Sequence, residues 1–408
     1  MTRTLFHRLC SSLETVPGTT NTNPACKILE VSSASPQIIA PKSQAATIRG
    51  DGNVKASVPL NRSAGYSRTQ EWVYPTTGEG LHDEIVAGLR SVSEQAQLAL
   101  TFITDTTTTS GTATITRTGS WISDEVEAGD IIELTSAANA ADNGFYLVAA
   151  IVSATELTVV NHHAGAAWAT PGACDVKRGA RLINGVTDRA YSLEESWIVS
   201  PYNLISWVGQ QVASFGFGFQ MGSTTPFSVN YVGRDGVPGT MNDGTASPFP
   251  LGFPGTPTYT AYTEAPPFSP SAEITVVVDG TELPLRSLSI TAESGARVRH
   301  STDVDAKPDA VPTGACRVRI QLEAYASVLE TLADARLGNE VALFFVMRDP
   351  TGKAVGVSLG TVVFDSGSLP TPGMDADAMI TASGTASLTT PVDATNEPNW
   401  TIRFSRFQ

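Results

Sequence analysis

The chain is short of basic residues, and this shortage limits what it can bind. Its 408 residues include 26 Lys and Arg against 40 Asp and Glu, which gives a formal net charge of −14 and a pI near 4.8. A surface that grips nucleic acid needs clustered Lys and Arg to meet the phosphates. We therefore do not expect tight DNA binding.

Cysteine and histidine are also scarce. The chain has four cysteines: Cys10, Cys26, Cys174 and Cys316. They are too few for a disulfide framework and lack the close spacing of zinc or redox motifs, so we expect reduced structural thiols. His162 and His163 precede Cys174, but adjacent residues on a strand point to opposite faces, which disfavours a shared metal ion. We expect a solvated loop there.

The common catalytic motifs are missing. The sequence contains no Walker A loop, no G-x-G-x-x-G opening a helix, no H-E-x-x-H and no G-x-S-x-G. Two acidic pairs, Asp124–Glu125 and Glu194–Glu195, have the residue types that a glycosidase uses as acid and base. No aromatic sugar platform accompanies them, so we expect solvated charged faces. The sequence predicts no catalytic, cofactor-binding or metal site, and a protein that is not an enzyme.

Long apolar runs are absent as well. No segment approaches the about 20 apolar residues of a membrane span. Residues 1–16 hold Arg3 and Arg8 without the sustained apolar stretch of a secretion signal. We expect synthesis and assembly in a cytoplasm, with no membrane partner.

The residues that are abundant favour β-structure. Thr, Ser, Val, Ala, Gly and Pro dominate, and short alternating runs bounded by turn residues predict a mainly β fold. Phe215, Phe217 and Phe219 alternate with glycine and are expected in the core. Two helices are predicted. One covers residues 80–97, with Leu81, Ile85, Leu89 and Val92 on one face, and the other covers residues 326–337.

One segment in the middle of the chain differs sharply in charge. Residues 101–176 hold nine acids and a single base, Arg117. The acids are Asp105, Asp124, Glu125, Glu127, Asp130, Glu133, Asp142, Glu156 and Asp175. The segment also contains four short alternating or apolar runs separated by turn residues. We expect a separate, well-solvated β module.

The order of parts predicts the domain organisation. Residues 1–45 indicate an extended arm with a strand or two, and residues 236–269 are a Pro- and Gly-rich linker. A similar succession of strand, short helix and further strands stands on both sides of this linker, which indicates an internal duplication. The first domain would comprise residues 1–100 and 177–235, the second residues 270–408, and residues 101–176 would be an insert in the first.

Several short motifs resemble a known family. Asn184-Gly185, Glu194, Gly209 and Met221-Gly222 occupy the places of a turn, a strand end and a following strand in bacteriophage tail tube proteins, the major tail proteins of long-tailed phages. Gly129-Asp130 and the run 142–146 resemble the small β inserts that such proteins carry, and Gly314 to Tyr325 and Asp349 to Leu359 resemble the family's closing strands. The likeness spans most of the chain.

This resemblance implies a fold and a function. It implies two tandem tail-tube-type β-sandwich or barrel domains, each with a short flanking α-helix, plus an inserted small β domain on the outer surface. The protein would be a virion structural protein that forms stacked rings, with three chains in a pseudo-sixfold ring or, alternatively, six chains. Its partners would be further copies of itself, the tape measure protein and the tail terminator and distal tail proteins. DNA would pass through the lumen without specific binding.

Position in the chain adds two expectations for the tube. Residues 46–61 and their counterpart near residues 300–313 are candidates for loops that contact the adjacent ring. A bore that repels phosphates would let DNA slide. The main alternative is an extracellular β-rich adhesin or carbohydrate-binding protein, which the composition would also allow. A β-rich hydrolase is a third class, although no catalytic constellation supports it.

Overall fold

The structure is a computed structural model, and it confirms the mainly β fold class. It describes residues 7–43, 58–59, 61–109, 112–137, 142–160, 162, 173–197, 203–240, 257–269, 273–301, 307–325, 339–368, 379–389 and 399–408. Strands make up most of these residues, and the described part of the chain contains a single helix.

The strands and the helix have the following bounds, in chain order. The first group is β1 (His7–Leu13), β2 (Ala25–Leu29), β3 (Ser33–Ile39), β4 (Lys42–Ser43), β5 (Val58–Pro59) and β6 (Ser63–Glu71), followed by α1 (Gly80–Gly88). The middle group is β7 (Leu98–Thr109), β8 (Thr112–Thr116), β9 (Ile131–Thr135), β10 (Gly144–Ser153), β11 (Glu156–Val160) and β12 (Ala173–Arg178). Next come β13 (Ala180–Ile183), β14 (Tyr191–Trp197), β15 (Asn203–Gln220), β16 (Pro226–Gly233), β17 (Asp235–Thr240) and β18 (Thr258–Thr260). The last group is β19 (Ile274–Val278), β20 (Thr281–Glu282), β21 (Leu285–Glu293), β22 (Arg317–Tyr325), β23 (Glu340–Arg348), β24 (Ala354–Ser368), β25 (Met379–Ala386) and β26 (Arg403–Phe407).

Eight strands form one continuous antiparallel layer, which we call the eight-stranded sheet. Its order is β3-β6-β16-β15-β21-β22-β25-β24, and only the C-terminal halves of β15 and β24 take part. Burial alternates strictly along β6 and β22, as expected for strands with one face on a core and one face on solvent. The alternation in residues 317–325 predicts β22 to its bounds.

A second layer covers the apolar face of the eight-stranded sheet. The N-terminal half of β15 pairs with β14 and β17, and that of β24 pairs with β23 and β26. Aromatic contacts join the layers: the rings of Tyr66 and Trp207 lie 5.7 Å apart, and those of Phe217 and Phe345 lie 6.0 Å apart. The three phenylalanines predicted in the core, Phe215, Phe217 and Phe219, are buried there.

The helix is shorter than the sequence predicts. Leu81, Ile85 and Leu89 are buried as expected, but the helix ends at Gly88 and Val92 is 69% exposed. Arg90 adopts a left-handed conformation with φ of 54°, and the N–H groups of Arg90 and residue 91 donate to the carbonyls of residues 87 and 86. This is a Schellman end, which usually has glycine at the left-handed position. The second predicted helix, residues 326–337, lies outside the described residues.

Helix α1 is fixed to the eight-stranded sheet by one buried acid. Arg68 on β6 donates from Nε to Glu84 Oε1 at 2.9 Å, and the Tyr231 hydroxyl on β16 donates to the same carboxylate. Glu84 and Arg68 are both almost completely buried. A buried charge is tolerated when it is paired and hydrogen-bonded, and here both conditions hold.

The acidic middle segment contains a closed barrel. Six strands follow the order β10-β11-β8-β7-β12-β9 and close on themselves around a core that includes Trp121 and Tyr146. The expectation that this segment is well solvated is wrong for part of its charge, because Asp130, Glu133 and Asp142 are buried. Asp130 and Glu133 lie where the barrel meets the rest of the molecule, and arginines outside the barrel neutralise them.

Two other predicted segments are more ordered than expected. The predicted N-terminal arm contributes β1, β2 and β3, which pair with strands of the same chain and do not extend away from it. Within the predicted linker, residues 236–240 continue β17 and residues 258–260 form β18, and Phe268 is fully buried. Most of the predicted loop at residues 46–61 lies outside the described residues.

Candidate assembly surface

The strand pairings before and after residues 241–256 follow the same order. The pairs β1–β2, β1–β14, β3–β6, β6–β16, β14–β15, β15–β16 and β15–β17 occur in the first part. The pairs β19–β20, β19–β23, β21–β22, β22–β25, β23–β24, β24–β25 and β24–β26 repeat them in the second part. Eight strands therefore have one counterpart each, and β15 corresponds to β24.

Irregularities in the ladders fix this correspondence residue by residue. On β15, the register against β16 shifts between Val212 and Ser214, and on β24 the register against β25 shifts between Phe364 and Ser366. A second shift lies earlier on each strand, just before Gln210 on β15 and just before Val362 on β24. Because the two shifts have the same spacing on both strands, Ser214 corresponds to Ser366.

The two parts of the chain meet in the middle of the eight-stranded sheet. The C-terminal half of β15 pairs with β21 from Ser214 opposite Glu293 to Gln220 opposite Ser287. We call this pairing the internal junction. At Gly218, within this junction, β15 and β21 approach each other very closely. A Cβ atom on residue 218 would stand 2.0 Å from the carbonyl oxygen of Leu288.

Both ends of the eight-stranded sheet are open edges. Strand β3 pairs with β6 on one side and the C-terminal half of β24 pairs with β25 on one side, and no strand among the described residues pairs with the opposite sides. Strand β3 is the counterpart of β21, and β24 is the counterpart of β15. The edges left open are therefore the counterparts of the two strands that the internal junction joins.

The open edge at β3 carries exposed apolar side chains. Ile38 and Ile39 on β3 are 42% and 45% exposed, although both are β-branched residues that favour a paired strand. An exposed edge with unpaired N–H and C=O groups is a template for pairing with another chain. Pro36 on the same strand lacks an N–H, a feature that discourages indiscriminate pairing.

The solvent face of the eight-stranded sheet is lined by small polar side chains. In one row, neighbouring strands place Ser35, Ser67, Asn230 and Ser214 side by side, and in the other row they place Ser289, Gln321, Ser383 and Ser366 side by side. Several of these side chains form hydrogen bonds with one another. Asn230 Nδ2 donates to Ser214 Oγ at 3.0 Å, and the hydroxyls of Ser366 and Ser383 share a hydrogen bond.

Charge on this face is nearly balanced. Its strands carry three partly buried acids, Glu71, Glu293 and Glu323, one exposed acid, Asp365, and three exposed bases, Arg286, Arg317 and Arg319. Arg319 lies 3.4 Å from Glu293, and Arg286 lies 3.5 Å from Glu323. A shallow depression of about 570 Å³ lies on the face and is lined mainly by Ser and Thr, with no aromatic residue among its lining.

One predicted acidic pair is in the core. The expectation of a solvated face is wrong for Glu194 and Glu195, which are each 1% exposed. The Tyr66 hydroxyl donates to Glu195 Oε1 at 3.1 Å, and Glu194 lies opposite Cys10 on β1. Because β14 has neighbours on both faces, adjacent side chains are buried on opposite sides of the strand. The other pair differs: Asp124 forms an ion pair with Arg117, and Glu125 is exposed.

The expectation that His162 and His163 lie in a solvated loop is wrong for His162. His162 is 5% exposed, with its ring centroid 5.3 Å from that of Tyr146 and 5.8 Å from that of Phe344, so it lies in a buried contact between the barrel and the second layer. His163 lies outside the described residues. Within the part of the chain that the structure describes, no three His, Cys, Asp or Glu side chains are grouped to hold a metal ion.

None of the four cysteines, all of which lie in the described part of the chain, forms a disulfide bond. Cys10, Cys26 and Cys174 are buried, and Cys316 is partly buried. Burial raises the pKa of the Cys10 and Cys26 thiols to about 12, and that of Cys316 to about 11. Thiols with such pKa values are weak nucleophiles, because the thiolate is the reactive form.

The barrel is docked by a buried charge cluster that the sequence does not reveal. Arg181 Nη1 lies 2.8 Å from both carboxylate oxygens of Asp130, and Arg403 Nη1 lies 2.8 Å from Asp130 Oδ1. The Glu127 carboxylate contacts the second terminal nitrogen, Nη2, of each arginine. Its Oε1 lies 2.8 Å from that of Arg181, and its Oε2 lies 2.9 Å from that of Arg403. Gly129-Asp130 is visible in the sequence only as part of a family-like motif.

Apolar and charged contacts surround this cluster. The rings of Phe145 on the barrel and Phe407 on β26 lie 5.1 Å apart, and Ile131 is buried in the same apolar cluster. Arg348 Nη2 donates to Glu133 Oε1 at 2.7 Å beside it. The barrel therefore attaches to the strands of the second layer through a mixed interface.

No protein-family model and no curated protein matches the chain. Among the described residues, no helix has the length and apolar character needed to cross a membrane.

Proposed function

We propose that this chain is the structural subunit of a bacteriophage tail tube. Neighbouring copies would join their eight-stranded sheets edge to edge into a closed ring, and the rings would stack into the conduit for DNA. One observation carries this proposal: the two open edges are counterparts of β15 and β21, which already pair at the internal junction. A surface that repeats an existing junction is suited to closed cyclic association.

The proposal includes the tandem arrangement of the chain. The first tube domain comprises residues 1–100 and 177–235, and the second comprises residues 270–408. The barrel, inserted at residues 101–176, decorates the outside of the tube. Three chains then give a pseudo-sixfold ring, since each chain contributes one internal junction and one junction with its neighbour. A ring of six chains is the alternative.

The solvent face of the eight-stranded sheet becomes the wall of the bore. Its hydroxyl and amide side chains and its balanced charges offer few free cations to phosphates, so a polyanion can slide without being held. Stacked rings would contact the tape measure protein inside and the tail terminator and distal tail proteins at the ends. The protein belongs in the virion tail after assembly in the cytoplasm of a bacterial host.

Electron microscopy of the purified protein at high concentration tests the proposal. We expect rings or tubes whose averaged views show six similar units around a central channel. A preparation that stays monomeric at every concentration would contradict it. Binding of such monomers to a glycan array would instead favour the adhesin class, although the depression on the sheet lacks the aromatic side chains on which sugars commonly stack.

A further inference from the structure

We propose a specific register for the contact between chains: β24 of one copy pairs antiparallel with β3 of the next copy, with Ser366 opposite Ile39, Gly367 opposite Ile38 and Ser368 opposite Gln37. The inference rests on the proposed ring. It adds the residues that meet at each chain-to-chain junction and the face on which each side chain lies.

The register follows from the ladders of the two halves. Ser214 corresponds to Ser366, and the same ladders extend the correspondence across the sheet, because Asn230 and Ser383 are their partners on β16 and β25. On the next strands, β6 and β22, Ser67 corresponds to Gln321. On the strands after them, β3 and β21, Ser35 corresponds to Ser289. Strand β3 is thereby aligned with β21, because the β3–β6 ladder is continuous and the β21–β22 ladder is continuous from Ser287 to Glu293, beyond its one register shift between Leu285 and Ser287.

Transfer of the internal junction to the open edges gives the proposed pairs. At the internal junction Ser214 faces Glu293. The counterpart of Ser214 is Ser366, and the alignment that matches Ser35 with Ser289 matches Ile39 with Glu293. Ser366 is therefore placed opposite Ile39, and the antiparallel direction fixes the following pairs.

The side chains at the edge support this register. The counterpart of Ile38 is Ala292, which is fully buried because β15 covers it, whereas Ile38 is 42% exposed. Pairing with β24 would cover Ile38 in the same way. Strand β3 carries no Asp, Glu, Lys or Arg, so no charge opposes the contact. A shift of one residue would place Ser366, which faces the bore, opposite Ile38, which faces the core, so the faces of the two sheets would no longer match.

Cysteine cross-linking tests the register in the full chain. The in-register variant carries Ser366→Cys and Ile39→Cys, and the shifted variant carries Ser366→Cys and Ile38→Cys. The pair Ser214→Cys and Glu293→Cys places the same geometry within one chain and serves as a positive control. Each protein is assembled under reducing conditions, viewed by electron microscopy, oxidised mildly and separated on a non-reducing denaturing gel.

We expect the in-register variant to form a ladder of covalently joined chains that ends at the ring number, with at least tenfold more product than the shifted variant. The control should cross-link without gaining mass. Rings in which the shifted pair links as well as the in-register pair would overturn the register and leave the tube proposal standing. Absence of rings from the unmodified protein would overturn both. If the first variant fails to assemble, Ser368→Cys with Gln37→Cys gives the same readout at the next bore-facing pair.

Discussion

Arg181 Nη1 lies 2.8 Å from both carboxylate oxygens of Asp130, in a site where both side chains are 1% exposed. Arg403 and Glu127 complete the cluster. Burial alone would raise the pKa of Asp130, but the positive charges of Arg181 and Arg403 outweigh it and hold the pKa below its usual value. Asp130 therefore stays ionised, and the barrel is attached by a buried cluster of two arginines and two acids.

Loss of this carboxylate should destabilise the protein strongly. We expect Asp130→Asn to lower the free energy of unfolding by about 3–5 kcal/mol, because removing one partner leaves two buried arginines undercompensated. Chemical denaturation followed by tryptophan fluorescence measures the change. Asp309→Asn is the matched control, since its ion pair with Arg299 lies on the surface and should leave the unfolding midpoint unchanged. Equal effects of both substitutions would contradict the role assigned to the cluster.

His82 should make stability fall as the pH rises above neutral. Burial alone would lower the pKa of His82, but the carboxylates of Asp83 and Glu94 outweigh it and raise the pKa, with Nε2 lying 3.3 Å from Glu94. The stabilisation from the charged imidazole is then complete below the unfolded pKa of about 6.5 and is lost as the pH passes through the higher folded pKa. Unfolding free energies at a series of pH values from about 6 to 8.5 should decline more in the wild type than in His82→Gln. Parallel declines would show that His82 has no such role.

At the internal junction, replacement of Gly218 by alanine should lower the stability more than replacement of Gly216. Gly218→Ala should cost about 1–3 kcal/mol, because its Cβ would meet the rigid carbonyl of Leu288 and push β15 away from β21. Gly216→Ala is the control on the same strand, since its nearest neighbours are the side-chain oxygens of Ser228 and Thr291 at 3.0 and 3.4 Å. Thermal melts of both variants measure the difference. A Gly218→Ala protein as stable as Gly216→Ala would contradict the close approach.

A charge on the open edge should block assembly without unfolding the chain. We expect Ile38→Lys to abolish rings, since the new ammonium would have to be buried between two copies. Ile122→Lys is a matched control, because Ile122 is 57% exposed on the barrel and faces away from the edge strands in the proposed ring. Sedimentation velocity and electron microscopy report the assembly state. Rings formed equally well by both variants would argue against β3 as a contact strand.

Local patterns in the sequence predict the strands that have one wet face. The alternation in residues 317–325 gives β22 its bounds, and the alternation of Phe215, Phe217 and Phe219 with glycine marks the half of β15 that lies in the eight-stranded sheet. The other half of β15, from Asn203, has neighbours on both faces, so it lacks the alternation that marks a half-exposed strand. The end of α1 is missed for a different reason, since Arg90 holds a position that glycine usually takes.

Contacts between distant parts of the chain leave no local pattern to read. Glu194 and Glu195 look like solvated acids because nothing near them in sequence indicates that β14 is covered on both faces. The partners of Asp130 are likewise remote, and Arg403 follows it by 273 residues. The proposed assembly surface depends on the internal duplication that the repeated order of parts in the sequence predicts. The open edges and the internal junction require the strand pairings themselves.

The distance in sequence between the barrel and β26 has a consequence during protein synthesis. The barrel strands are complete at Arg178, but Arg403 and Phe407, which help to hold the barrel, emerge from the ribosome much later. At bacterial elongation rates of about 5–20 residues per second, Asp130 waits roughly 15–50 s for Arg403. During that interval the nascent barrel exposes an acidic and aromatic face, so chaperones that shield such faces would meet this chain before its own C-terminal strand does.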